Sequence, residues 1–300
     1  MNIFITGATG FAGRHVLSRI AYRQDKWLLL IRKKEDAGLF PHKNLSTIVG
    51  DLNELAKIQS AVRKFSPDVC IHLAWQGLPD YSEKISRLNL NQSIELFDFL
   101  MQETDCRKII SSGSCLEYGR LKGVCKESQE PLTNSFYAWA KQSLYRYTSL
   151  LCEANKRSLI WFRFFYVYGP GQRPKALIPT LVDSFRNHTV PVIKNPLNAN
   201  DFVYIGDVAQ AFHLAMRKNI PSGIYNLGSG KSARVIDVCK IAEKKVSGRS
   251  QLSDTIPPGN RDPQTVDFWA DLSKIRRLLG WRPTTTLPEG VVKYIASLGQ

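Results

Sequence analysis

Short apolar runs and longer segments with helical spacing alternate along the first half of the chain. Residues 3–5, 27–31, 46–49, 69–74 and 108–111 are apolar runs bounded by polar residues, the pattern of strands buried on both faces. Between and after them, residues 11–23, 53–64, 80–102 and 137–155 carry the spacing of helices. Strand and helix in alternation predict an α/β fold built on a doubly wound parallel sheet. Beyond residue 159 proline is more frequent and the segments are broken, so a unit of different construction is expected there.

The first strand runs straight into glycines at 7, 10 and 13, with a helix opening behind them. Glycine lets the backbone approach a ligand closely, and the free N–H groups of a helix start suit a pyrophosphate. Gly7, Thr9, Gly10, Phe11, Ala12 and Gly13 are therefore candidate dinucleotide contacts, although the spacing is G-x-x-G-x-x-G and a plain tight turn reads the same way. After the second strand come Arg32, Lys33 and Lys34, before the first acid, Glu35. An acid at this point bonds a ribose 2′-hydroxyl and a base accommodates a 2′-phosphate, so Arg32 and Lys33 favour NADP(H) over NAD(H). Asp51 and Leu52 end the third strand, where Asp51 either faces the adenine or caps the helix that follows.

Three hundred residues with 43% hydrophobic content suffice for a large core. The net charge of +15 raises nucleic acid as a partner, but the basic clusters are short and lack interleaved aromatics, and no nucleic-acid role is expected. No apolar run reaches membrane-spanning length and no signal-peptide pattern opens the chain, so no membrane role and a cytoplasmic location are expected. The six cysteines are scattered without metal-ligand spacing and read as reduced packing residues; no metal is expected.

Tyr137 and Lys141 stand four apart at the start of a helix and share a face. A phenol titrates too high for easy proton exchange at neutral pH, and a nearby ammonium lowers it, so the pair suits acid/base chemistry. Alone, such a pair is usually an amphipathic surface pair. Here it follows a dinucleotide turn and a hydroxyl-rich strand end, Ser111-Ser112-Gly113-Ser114.

In that order these features resemble the extended short-chain dehydrogenase/reductase family, the nucleotide-sugar epimerases, dehydratases and reductases. Gly7 to Gly13 looks like its cofactor turn, His72-Leu73-Ala74 like its segment after the fourth strand, and Asn89 to Ser93 like the start of its next helix. Arg163 to Gly171, Asp201 to Ala209, Tyr225 to Gly230 and Ala270 to Pro283 resemble its later motifs in order. The resemblance implies a Rossmann domain over 1–165 and a smaller, mainly substrate-binding α/β domain over 166–300, parts of which return to the first. It makes Ser114, Tyr137 and Lys141 the catalytic set, with Tyr137 and Lys141 also touching the cofactor, and adds Leu73 and Ala74 as cofactor contacts. Tyr166 stands where many relatives place an Asn that reaches the substrate, and Asn200 where many have an Arg. Arg173, Lys175 and Arg261 are candidates for the substrate diphosphate or are surface charges. Asp207 reads as an N-cap for a helix over 208–217.

The family's 4,6-dehydratases carry Asp-Glu directly after the catalytic hydroxyl; Cys115 and Leu116 stand there in this chain and cannot move protons in that way. With the basic end of the second strand, the resemblance implies an NADPH-dependent reductase of a nucleoside-diphosphate-linked 4-keto-6-deoxyhexose. The stretch from Phe164 to Gly171 looks most like short relatives that make abequose-type and other deoxyhexoses. An epimerase holding NAD tightly is the alternative, and a cofactor-sensing or nucleic-acid-binding relative without catalysis is a rival of another class. Relatives usually form homodimers through the helices corresponding to 80–102 and 137–155. Phe97, Phe99, Leu100, Leu144, Tyr147 and Leu151 serve either that contact or the core.

Overall fold

The computed structural model describes residues 1–20, 24–257 and 265–299. Its strands are β1 (Asn2–Thr6), β2 (Lys26–Ile31), β3 (Leu45–Val49), β4 (Val69–His72), β5 (Lys108–Ser114), β6 (Lys122–Cys125), β7 (Ser158–Phe164), β8 (Tyr166–Tyr168), β9 (Ala199–Tyr204), β10 (Gly223–Leu227), β11 (Ser232–Arg234) and β12 (Asp267–Ala270). Its helices are α1 (Phe11–Ile20), α2 (Ala56–Phe65), α3 (Glu83–Glu103), α4 (Phe136–Ala154), α5 (Leu177–Arg186), α6 (Ile205–Arg217), α7 (Val235–Ser247), α8 (Ser273–Leu279) and α9 (Leu287–Ala296).

Seven parallel strands form the large sheet in the order β10-β7-β5-β4-β1-β2-β3. Strands β1, β2 and β4 are buried on both faces, which is why they read as apolar runs; β3, at the edge, is half exposed. The strand order reverses beside β1, and the crevice at the carboxyl ends of β1 and β4 is where ligands of open α/β sheets bind. The fold is thus the doubly wound Rossmann type that the alternation predicts.

Element boundaries moved for caps and for strand pairing. The helix expected from residue 80 starts at Glu83, because the Ser82 side chain caps it, accepting from the Ile85 amide at 3.5 Å. The helix expected from residue 53 begins at Ala56, after a 3₁₀ turn over Leu52–Glu54 whose cap is Asp51. The strand expected over 108–111 continues to Ser114, since Ser112, Gly113 and Ser114 pair with Phe162, Arg163 and Phe164 of β7.

A second sheet has the order β11-β9-β12-β6, with β8 paired to β9. Strand β6 comes from the first half of the chain, and β10 goes the other way, into the large sheet. Asp201 on β9 is buried and accepts the amides of Ser229, Gly230 and Ala270 at 2.5, 3.0 and 3.0 Å, so one carboxylate ties β9, the β10–β11 turn and β12. Asp207 is not the N-cap expected from the sequence. Helix α6 already begins at Ile205, and the Asp207 carboxylate instead holds Thr284 Oγ1 at 2.7 Å and the Thr285 amide at 3.0 Å, tethering the tail.

Helices α3 and α4 pack side by side. Phe97, Phe99, Leu100 and Leu144 are buried within the chain, which settles their two readings in favour of the core. Tyr147 instead stays outside, in a stripe of α4 with Phe136, Trp139 and Leu150 that recurs at helical spacing, the four exposed by 36, 52, 39 and 69%.

Candidate active site

Between β1 and β4 the chain approaches itself as closely as glycine allows. Gly7 has a φ of +72°, and a Cβ there would lie 2.6 Å from the Ala74 amide nitrogen; at Gly13 it would lie 2.8 Å from Ala8 Cα and closer still to the Gly7 carbonyl. Gly10 is looser, with only the Gly7 carbonyl 3.2 Å from an added Cβ. The cleft beyond is lined by Gly7, Thr9, Gly10, Arg32, Asp51, Leu52, Leu73 and Ala74. Phe11, Ala12 and Gly13 form the first turn of α1, whose leading N–H groups have no partner within the helix. Lys33 is exposed and lies outside that lining. Asp51 meets its capping reading, its carboxylate accepting the Asn53 amide at 2.9 Å, and it also lines the cleft.

A glycine turn at a helix start fits the pyrophosphate of a dinucleotide. Arg32 faces the cleft, whereas Glu35 and Asp36 sit beyond it in a 3₁₀ turn. Among the described residues no group of His, Cys, Asp and Glu could hold a metal ion, and no helix is long and apolar enough to cross a membrane.

The floor of the cleft is held by a buried relay. His72 meets Thr6 Oγ1 through Nδ1 at 2.9 Å and Ser93 Oγ through Nε2 at 3.0 Å, and Ser93 donates to the Asn89 carbonyl at 2.6 Å. Burial, helped by the nearby Lys141 ammonium, pushes the His72 imidazolium down to about 3, so the ring is a neutral connector and not a proton carrier at neutral pH. Asn89 in turn accepts the Gln76 amide at 2.7 Å, pinning the loop after β4 to α3.

Ser114, Tyr137 and Lys141 come together above the end of β5. Ser114 Oγ accepts the Leu116 amide at 3.2 Å and lies beside the Tyr137 phenol, close enough to favour its charged form. The Tyr137 ring is clamped by Trp75 (centroids 5.6 Å, edge-on) and Tyr81 (5.0 Å). Lys141, only 2% exposed, donates to the Ser112 carbonyl at 2.8 Å and lies 3.8 Å from the centroid of the Trp75 ring.

This geometry corrects one expectation. The Tyr137 phenol is pushed up, not down: burial raises it, with the Glu117 charge and Tyr81 adding and Ser114 opposing. Lys141 itself is brought down to about 7 by burial, against the pull of Glu117. The shared helix face brings Tyr137 and Lys141 together, but Lys141 is aimed at Ser112 and Trp75.

Two residues of the site escaped the sequence reading. Trp75, beside Ala74, is the ring against both Tyr137 and Lys141, and nothing in its neighbours' types announces that. Glu117, fully buried, accepts the Ser114 amide at 2.7 Å, Trp161 Nε1 at 3.1 Å and Arg163 Nε at 3.0 Å. Its signal was present: Ser114-x-x-Glu117 is the capping-box spacing, and the box is formed.

On the second sheet, Tyr166 and Asn200 line another cleft, with Thr180, Asn195 and Asn198 among their neighbours. Tyr166 packs on Phe202 and Phe268. Arg173 and Lys175 are exposed on the β8–α5 connection and line neither cleft. Arg261 lies outside the described residues.

Fold and site together define a dinucleotide-binding α/β protein with a Ser/Tyr/Lys set at the sheet's ligand end. The profile of the NAD dependent epimerase/dehydratase family matches residues 3–228, and the chain belongs to that family. It is 25% identical to a dTDP-4-dehydro-6-deoxyglucose reductase of Escherichia coli, over 99% of this chain and 97% of that one. It is 27% identical to an Arabidopsis thaliana trifunctional UDP-glucose 4,6-dehydratase/UDP-4-keto-6-deoxy-D-glucose 3,5-epimerase/UDP-4-keto-L-rhamnose-reductase, covering 97% of this chain but 46% of that one, so it spans about half of that relative's length. The crystal structure of Thermotoga maritima UDP-glucose 4-epimerase with UDP-glucose superposes over 100% of this chain and 99% of that one, at a TM-score of 0.87 and 22% identity.

Proposed function

We propose that the chain is an NADPH-dependent reductase of a nucleoside-diphosphate-linked 4-keto-6-deoxyhexose, working in deoxysugar and surface-polysaccharide biosynthesis. The observation that carries this reading is Arg32, which follows β2 directly and lines the cofactor cleft where an acid would select NAD. The similarity to a 4-keto sugar reductase along both chains supports it. Cys115, a buried thiol whose burial pushes its titration up, and Leu116 stand where elimination would need acids. In this reading residues 1–165 hold the cofactor and residues 166–300 mainly the sugar nucleotide, with Tyr166, Arg173 and Lys175 as candidate substrate contacts.

Bound NADPH supplies a hydride to the ketone carbon. Tyr137 gives its phenolic proton to the oxygen that becomes the alcohol, and Ser114 donates a hydrogen bond to the same oxygen. With its phenol raised by burial, Tyr137 carries its proton through the neutral range, the state a general acid needs. Lys141, one helical turn away, binds the nicotinamide ribose.

The test is a panel of nucleoside-diphosphate 4-keto-6-deoxy sugars mixed with the protein and NADPH, with NADH in parallel, read as loss of absorbance. One sugar nucleotide should be reduced with NADPH preferred, and replacing Arg32 and Lys33 by Ala should erode that preference about tenfold. No reduction across the panel, together with NAD retained on the purified protein, would replace the reductase by an epimerase.

We also propose a homodimer through α3 and α4, resting on the apolar stripe Phe136, Trp139, Tyr147 and Leu150. Sedimentation should show a dimer for the parent and a monomer for Leu150→Glu. A monomeric parent at micromolar concentration would rule out the contact.

A further inference from the structure

We propose that Glu117 is a positioning residue of this site: through the Ser114 amide and its ion pair with Arg163 it fixes Ser114 against Tyr137 and supplies the negative charge behind Lys141. The proposal rests on the catalytic reading of Ser114, Tyr137 and Lys141 given above.

A carboxylate with no exposure is costly unless it is fully partnered. Glu117 spends both oxygens on the site's frame: one meets the Ser114 amide and the Trp161 indole, the other the Arg163 guanidinium. Arg163 passes the contact on, donating from Nη2 to Gln142 Oε1 at 3.1 Å, and Gln142 is the residue next to Lys141 on α4. The end of β5, strand β7 and the catalytic turn of α4 are thereby joined through one ion pair.

The sequence makes room for this arrangement. A Cβ at Gly113 would overlap Trp161 Nε1 and Glu117 Oε1, so the glycine before Ser114 is what lets the carboxylate and the indole reach the strand. Nor is the pair built for stability alone. Among the described residues Arg163 Nη1 is buried without a hydrogen-bond partner, and a well-packed apolar pair would avoid that cost.

The charged and titratable groups facing Lys141 are Glu117 behind β5, His72 on β4 and Tyr137 one turn back on its own helix. His72 is neutral, which leaves Glu117 as the negative charge that opposes the effect of burial on the lysine. Two tryptophans close the remaining sides, Trp75 at 3.8 Å and Trp161 at 6.0 Å from Lys141 Nζ to the ring centroids.

Glu117→Gln keeps the size and an acceptor for the Ser114 amide but removes the charge. The readout is the titration of Lys141 itself, by carbon NMR of protein labelled at the lysine side chains, with the resonance assigned by its absence in Lys141→Met. In Glu117→Gln the Lys141 ammonium should lose its proton at lower pH than in the parent. Glu117→Gln with Arg163→Met, which leaves no unmatched cation if the single variant does not fold, should move it in the same direction by less. On the substrate found by the panel, kcat should fall on the order of tenfold with KM within about threefold. A Lys141 titration unchanged in a folded variant overturns the proposal, and so does failure of both variants to fold, which would make Glu117 a residue of stability only. Because the titration needs no substrate, it gives its answer even if the panel defeats the reductase reading.

Discussion

Tyr137→Phe is expected to slow ketone reduction about 10²- to 10⁴-fold, the usual share of a positioned general acid, while NADPH affinity stays within about twofold of the parent's. The substitution is clean because the ring has its own supports. Trp75 and Tyr81 clamp it from two sides, and phenylalanine keeps both contacts. Only the hydroxyl beside Ser114 is lost, with the proton it delivers. Turnover would be measured by NADPH absorbance on the substrate identified in the panel, and affinity by NADPH fluorescence. Undiminished turnover would remove Tyr137 as the acid. A large loss of affinity instead would mean that the phenol serves mainly to hold the cofactor.

Gly13→Ala should raise the Kd for NADPH about tenfold or more and cost about 1–3 kcal/mol of stability, as overpacking at a rigid contact does. The reason is steric and local. Gly13 sits in the first turn of α1 with no unusual φ, yet its Cβ would fall on the Gly7 carbonyl and within 2.8 Å of Ala8 Cα and O, all backbone atoms. No side chain can swing aside to relieve the overlap. The helix must back away from β1, which opens the turn closed by the Gly10 amide on the Gly7 carbonyl at 3.0 Å. Gly10→Ala meets only that one carbonyl, at 3.2 Å, and should cost less stability. Thermal unfolding and NADPH titration check both effects. Parent-like values for Gly13→Ala would show that helix and turn need no such approach.

What could be read along the chain was what neighbouring residues decide together. Strands β1, β2 and β4 announced themselves because both their faces are buried, so their central positions are apolar. The cofactor turn was legible because three glycines at a fixed spacing meet one local requirement. Tyr137 and Lys141 were legible because positions four apart share a helix face. The ends of elements were less so: β5 gained three residues from pairing with β7, some fifty positions away in the chain.

The environment of the same residues was decided elsewhere. A shared helix face puts Tyr137 and Lys141 side by side but does not say where the ammonium points, and in the fold it goes to the Ser112 carbonyl and the Trp75 ring. Burial, a sum over every element packed around a group, pushed the phenol up where the pair alone suggested down. The Glu117–Arg163 pair and the Asp207–Thr284 tether join residues 46 and 77 apart, and no local pattern ties the two ends of either. The sequence by itself determined the alternation of strand and helix, the glycine turn and the shared helix face of Tyr137 and Lys141, because each rests on contacts within a few residues. Only the tertiary structure decided which charges face that set and which apolar side chains of α3 and α4 turn inward, because those follow from how separate elements are brought against one another.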